Sequence, residues 1–135
     1  MTPSLTAVAL FAGWALLLVF IPVGYRVVAV LTQGKAANSW TRGRQQESEP
    51  GLVERAGHAH LNTLENLPVF AALVLAGVAS GQGAAIDALA PWVLYARMAQ
   101  SVVHLIGVNH WLVLVRAGFF AAQLILFLVM LFRLL

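Results

Sequence analysis

From Leu5 to Leu31 the sequence reads LTAVALFAGWALLLVFIPVGYRVVAVL and carries one charge, Arg26. A bilayer core roughly 30 Å thick is spanned by about 20 apolar residues in a helix, which satisfies its own backbone hydrogen bonds where water is absent. The stretch is therefore read as a membrane-spanning helix. It is too long for the apolar core of a signal peptide, and no basic segment precedes it. A bend is expected at Pro22, which lacks an N–H and crowds the preceding turn. Beyond it, Arg26 either snorkels to the interface or turns into the bundle.

The rest of the chain repeats the theme. A second apolar segment runs over 53–79 with Pro68 inside it, a third over 88–107 and a fourth over 112–134. Asp87 is a plausible N-cap for the third, with Pro91 in the first turn, where its missing N–H costs little. With 135 residues, 61% hydrophobic and 10% charged, the chain is read as one domain over 1–135. The expected fold class is an all-α integral membrane protein, a bundle of four transmembrane helices, with little room for a soluble domain.

Charge is concentrated in the loop 32–52, TQGKAANSWTRGRQQESEPGL, which Gly34, Gly43, Pro50 and Gly51 break. It holds Lys35, Arg42 and Arg44, whereas the later connection SGQGAAIDALA holds no Lys or Arg. By the positive-inside rule the first loop is cytoplasmic and the second outside, so four spans put both termini outside an inner membrane. Trp40 suits an anchor at headgroup level. The net charge of +3 comes from basic residues scattered among the spans, not gathered into a stripe, which argues against a nucleic-acid partner. There is no cysteine, so any thiol chemistry must come from a ligand.

The polar segment ERAGHAHLNTLENLPVF, residues 54–70, enters the second span and needs a reason to be there. At about 100° per residue, Glu54, Arg55, His58, Asn62, Glu65 and Asn66 share an arc of about 120°, while His60 points to the other side with Leu64 and Leu67. On the third helix Arg97, Gln100, Ser101 and His104 share an arc of about 100°. The topology sets the start of the second span and the end of the third at a similar, cytoplasmic depth. The two stripes then form a polar cavity.

Interhelical glue is the plain alternative, each bond contributing about 0.6 to 2 kcal/mol, but two Arg-bearing stripes with Glu, Asn and His exceed what glue requires. A metal site is disfavoured, because His58 and His60 face opposite sides and no Cys or facing Glu-x-x-His pair completes a set. Glu65 and His104 would suit a proton or ion path, but Arg55 and Arg97 repel cations. Arg, Glu, Asn and Gln together suit a ligand bearing carboxylates together with amide or ammonium groups.

The 54–70 segment resembles a signature of the membrane-associated proteins in eicosanoid and glutathione metabolism, the MAPEG family, of the form E-R-x-x-x-A-H-x-N-x-x-E-N-x-P-x-F. Glu54, Arg55, Ala59, His60, Asn62, Glu65, Asn66, Pro68 and Phe70 fit it. YARMAQSVVHLIG is similar to the second signature, A-R-x-x-H-x-x-x-Y-L, through Ala96, Arg97 and Leu105, with Gln100 at the usual His and His104 at the usual Tyr. The resemblance extends over essentially the whole chain.

It implies a homotrimer of four-helix protomers that binds glutathione between subunits near the cytoplasmic face. Asn62 and Glu65 would then touch the ligand, and Arg55 would make a structural ion pair or the edge of the site. Arg97 would meet Glu65 or a ligand carboxylate, and Arg116, at the start of the last span, would approach the thiol and favour the thiolate. His58, Gln100 and His104 would complete the binding set. His58 and Leu61 stand where glutathione-binding members often carry Arg.

The implied activity is that of a membrane-bound glutathione-dependent transferase or peroxidase acting on hydrophobic electrophiles or lipid peroxides that arrive through the membrane lipid. The alternatives are a non-catalytic lipid- or ligand-binding protein of the same fold, and a proton-linked carrier.

Overall fold

A computed structural model of the chain describes residues 1–41 and 48–135. Among these the regular structure is all helical: α1 Pro3–Gln33, α2 Gly51–Ala79, α3 Ala90–Ile106 and α4 His110–Leu134, with short 3-10 turns at Ala37–Trp40 and Gly83–Ala85. Three of them, α1, α2 and α4, are long and apolar enough to cross a membrane. α3 is shorter, at 17 residues, because it starts only after the turns that follow α2 and stops at the extended Gly107. Arg42, Gly43 and Arg44 lie outside the described residues.

Local chemistry sets the ends. Thr2 accepts a bond from the Leu5 N–H and Pro3 opens α1, while Gly34 closes it in the left-handed conformation (φ 64°) that glycine adopts without strain. Asn109 caps α4 by accepting from the Leu112 N–H at 2.9 Å. α1 remains helical through Pro22.

Asp87 is not the N-cap of α3, contrary to expectation; Leu89 holds that position without a side-chain bond. The carboxylate instead accepts from the Ser4 N–H at 3.1 Å, in the open first turn of α1. The chemistry is that of a cap, because an unpaired N–H at a helix N-terminus seeks an anion, but the helix served is another one. Asp87→Ala should therefore lower unfolding stability by about 1 kcal/mol, with Asp87→Asn in between, as read from thermal unfolding in detergent.

Arg26 has a third outcome beside the two expected. It forms a two-pronged ion pair with Glu49, Nε to Oε1 at 2.6 Å and Nη2 to Oε2 at 3.2 Å, and the Glu49 side chain is 3% exposed. The end of the first loop is thereby drawn against α1. Trp40 lies edge-on to Tyr25 of α1, with ring centroids 6.4 Å apart.

The bundle has an apolar half and a polar half. Phe11, Phe70 and Phe127 form an aromatic column with centroid spacings of 5.4 and 6.1 Å, surrounded by Ala7, Val74, Ile86, Ala90, Val93 and Met130. This half contains the N-termini of α1 and α3 and the C-termini of α2 and α4. At its far end Gly77 lets the chains close up, since a Cβ there would lie 3.0 Å from Ile86 Cδ1 and 3.1 Å from Leu134 Cδ2. Toward the first loop the buried residues change to Ala56 and Ala59 on α2 and to Arg97, Gln100, Ser101 and His104 on α3.

Candidate functional site

The two polar stripes sit differently in the bundle. On α2 the buried line is Val53, Ala56, Ala59, Thr63, Asn66, Phe70, Val74 and Gly77, and the polar arc runs along its edge. Asn66 is buried, Arg55 and Asn62 are half-buried, and Glu54, His58 and Glu65 are exposed on the protomer. On α3 the whole polar arc is the buried face: Arg97, Gln100, Ser101 and His104. Small residues on α2 make this possible, because Ala56 and Ala59 leave room where longer side chains would occupy it.

Between these surfaces lies a cleft of about 270 Å³. Asn62, Glu65 and Asn66 line one wall, Arg97 and Gln100 the other, and Val113, Arg116, Ala117 and Phe120 of α4 complete it. A recess too tight for water adjoins it, sharing Asn62, Arg97, Gln100 and Arg116 with the cleft and lined further by Ala59, Ser101 and His104. Five of the eight residues expected at the site thus share one cleft, and His104 lines the adjoining recess.

The electrostatics are unbalanced. Arg97 is 1% exposed, yet its Nε and Nη2 have no hydrogen-bond partner among the described residues; the same holds for Arg116 Nε and both ring nitrogens of His104. Glu65 is within Coulombic reach of Arg97, but no hydrogen bond or ion pair joins them. Arg97 gains partial compensation from the Phe11 ring, whose centroid is 5.8 Å from its Cζ. A buried cation with idle donors is costly, and it is ready for an anion.

The remaining expected residues stand at the margins. Arg55 donates through Nε to the Leu105 carbonyl at 2.9 Å, closing the last turn of α3, whose carbonyls have no helical partner. His58 lies edge-on to His104 with centroids 6.2 Å apart. His60 faces α1, its Nδ1 2.8 Å from the Ala15 carbonyl, on the side of the helix away from the polar arc. Among the described residues no three His, Asp or Glu side chains are grouped to hold a metal.

Gln123 of α4 was not anticipated. It is fully buried, and its Nε2 lies 2.8 Å from Gln100 Oε1, tying α4 to the cleft wall. The signal was present, since Gln123 is the one polar side chain in the run from Gly118 to Phe132. A polar residue alone in an apolar span points inward by default.

The two signature stretches therefore meet at one cleft, the first contributing Asn62, Glu65 and Asn66 and the second Arg97 and Gln100. The family model described as the MAPEG family matches residues 4–135. The chain belongs to the MAPEG family. No curated protein and no solved structure matches it. As a MAPEG protein it is an integral membrane protein of a family concerned with eicosanoid and glutathione metabolism. Phe70, the last residue of the first signature, belongs to the core and not to the cleft, so that motif encodes packing as well as the site.

Proposed function

We propose that this MAPEG protein binds glutathione in the α2–α3–α4 cleft and uses its thiolate to conjugate hydrophobic electrophiles or to reduce lipid peroxides. The observation that carries the proposal is the buried Arg97 guanidinium with two idle donor nitrogens beside Glu65. A ligand carboxylate would supply the missing anion in the forked geometry that Arg favours. Glutathione carries two carboxylates, an ammonium and two peptide groups. Arg97 suits a carboxylate, and Glu65, with Asn62 and Asn66, suits the ammonium and amides.

The chemistry follows from charge. The chain has no cysteine, so the nucleophile must come with the ligand. A guanidinium beside the sulfur favours the thiolate, the form that attacks, and Arg116 is the candidate for that role. α4 buries few of its residues and leaves Val113, Ala117 and Phe120 exposed along the cleft, an apolar approach for substrates dissolved in lipid.

The assembly proposed is a homotrimer, with the exposed edge of α2 at Glu54, His58 and Glu65 covered by a neighbour. α3 is proposed as the fourth span, in an inner membrane with the first loop cytoplasmic and both termini outside. His58 and His104 would close the inner end of the ligand site, and Arg55 would support it through the end of α3. A second reading, non-catalytic ligand binding, has support from His104, which stands where the second signature has Tyr and so supplies no aromatic hydroxyl.

Purified protein in nanodiscs, given glutathione and a lipid-soluble aryl halide or hydroperoxide, should form product at a thiol-dependent rate. Glu65→Ala should lower that rate at least tenfold, since a hydrogen bond to a charged group contributes about 1.5–3 kcal/mol. Equal rates in the two proteins would contradict the assignment of Glu65. Saturable binding without turnover of either substrate class would favour the second reading.

A further inference from the structure

Gln123 lies behind the cleft wall and does not line it. Its Nε2 has two acceptors in range, Gln100 Oε1 at 2.8 Å and the Phe119 carbonyl at 3.2 Å. A backbone carbonyl can only accept, so Phe119 decides which end of the Gln123 amide faces it, and that end is the NH2. The same NH2 meets Gln100, which must then turn its oxygen inward. A primary amide has one oxygen and one NH2 group; with the oxygen engaged behind the wall, Gln100 is left with its NH2 for the cleft.

The opposite wall has the reverse polarity. Asn66 gives its Nδ2 to the Asn62 carbonyl at 3.3 Å, which leaves its side-chain oxygen free to accept on the wall that also carries Glu65. The α3–α4 side therefore offers donors, through Arg97, Gln100 and Arg116, while the α2 side carries the acceptors of Glu65 and Asn66 together with the unengaged Asn62 amide. Gln123 keeps an idle buried oxygen, Oε1, among the described residues, a desolvation cost that the pair bears.

We infer that Gln123 is a positioning residue that holds Gln100 as a hydrogen-bond donor toward the cleft, and thereby selects a ligand acceptor, a carboxylate or peptide carbonyl, at the α3–α4 wall. This rests on the reading that the cleft binds glutathione. Gln123 acts only through Gln100, so its removal matters only while Gln100 is present.

A double-mutant cycle on the full chain in nanodiscs, read by equilibrium binding of glutathione, tests this. Gln100→Met should weaken binding about tenfold, a single lost hydrogen bond. Gln123→Met should weaken it about three- to tenfold, with an unfolding midpoint no lower than that of the unsubstituted protein, and should change nothing further in the Gln100→Met background. Glutamine-selective 15N spectra, assigned with Gln100→Met, need no core variant: glutathione should shift the Gln100 side-chain NH2 signal of the unsubstituted protein. Losses that add, a Gln123→Met protein that binds unchanged, or an unshifted NH2 signal alongside intact binding would overturn this inference alone. No glutathione binding by the unsubstituted protein would overturn the functional proposal and this inference with it.

Discussion

Arg97→Met is expected to abolish measurable glutathione binding while leaving the fold as stable as before or more so. The two effects have one cause. Arg97 is 1% exposed, with two nitrogens idle, so the unliganded protein bears the desolvation of a cation without a full set of partners. Replacing a buried charge by an apolar side chain of similar volume is commonly neutral or stabilising by about 1–4 kcal/mol. Binding moves the other way: each hydrogen bond to a charged group contributes about 1.5–3 kcal/mol, and two lost together amount to a hundredfold or more in affinity. Equilibrium dialysis and thermal unfolding of the same sample separate the two. A Met variant that unfolds more easily and still binds would mean that Arg97 serves the fold.

Phe70→Ala should be the most destabilising single change, by about 3–5 kcal/mol. Phe70 is fully buried and is the middle ring of the Phe11–Phe70–Phe127 column, through which α1, α2 and α4 meet. In lipid, helices gain little from hydrophobic burial against one another, so close packing carries more of their association and a cavity is correspondingly costly. The column also supports the cleft, since Phe11 touches Phe70 on one side and lies under the Arg97 guanidinium on the other. Denaturation in mixed micelles should show the loss, and Phe132→Ala, at a position 74% exposed, should stay within about 0.5 kcal/mol of the parent. Similar effects at the two positions would contradict the placement of the core.

Much of this arrangement could be read from the residues, because the bilayer leaves so few options. The apolar runs indicate helices, and the angular positions of Glu54 to Asn66 and of Arg97 to His104 define two polar arcs whatever else the chain does. The arcs do not say how each helix is turned. On α3 the polar arc is the packing face, whereas on α2 it runs along the edge of one, and the difference depends on the small Ala56 and Ala59 surfaces and on what lies opposite.

Long-range pairing escaped for the same reason. Asp87 looks like a local cap, yet it caps another helix through Ser4, 83 residues earlier, and the partner of Arg26 is Glu49, near the end of the first loop. Gln123 carried a signal of its own, but its meaning depends on Gln100 lying opposite, which only the packing of α3 on α4 reveals. The chemistry of each group was legible, and its neighbour was not.

Calorimetric titration of the purified protein in nanodiscs with glutathione to millimolar concentration tests most directly whether the cleft around Arg97 and Glu65 is a glutathione site. Saturable heat with one set of sites, absent in Arg97→Met, is the expected result. No saturable heat at millimolar glutathione, or the same heat from the Arg97→Met protein, would contradict it.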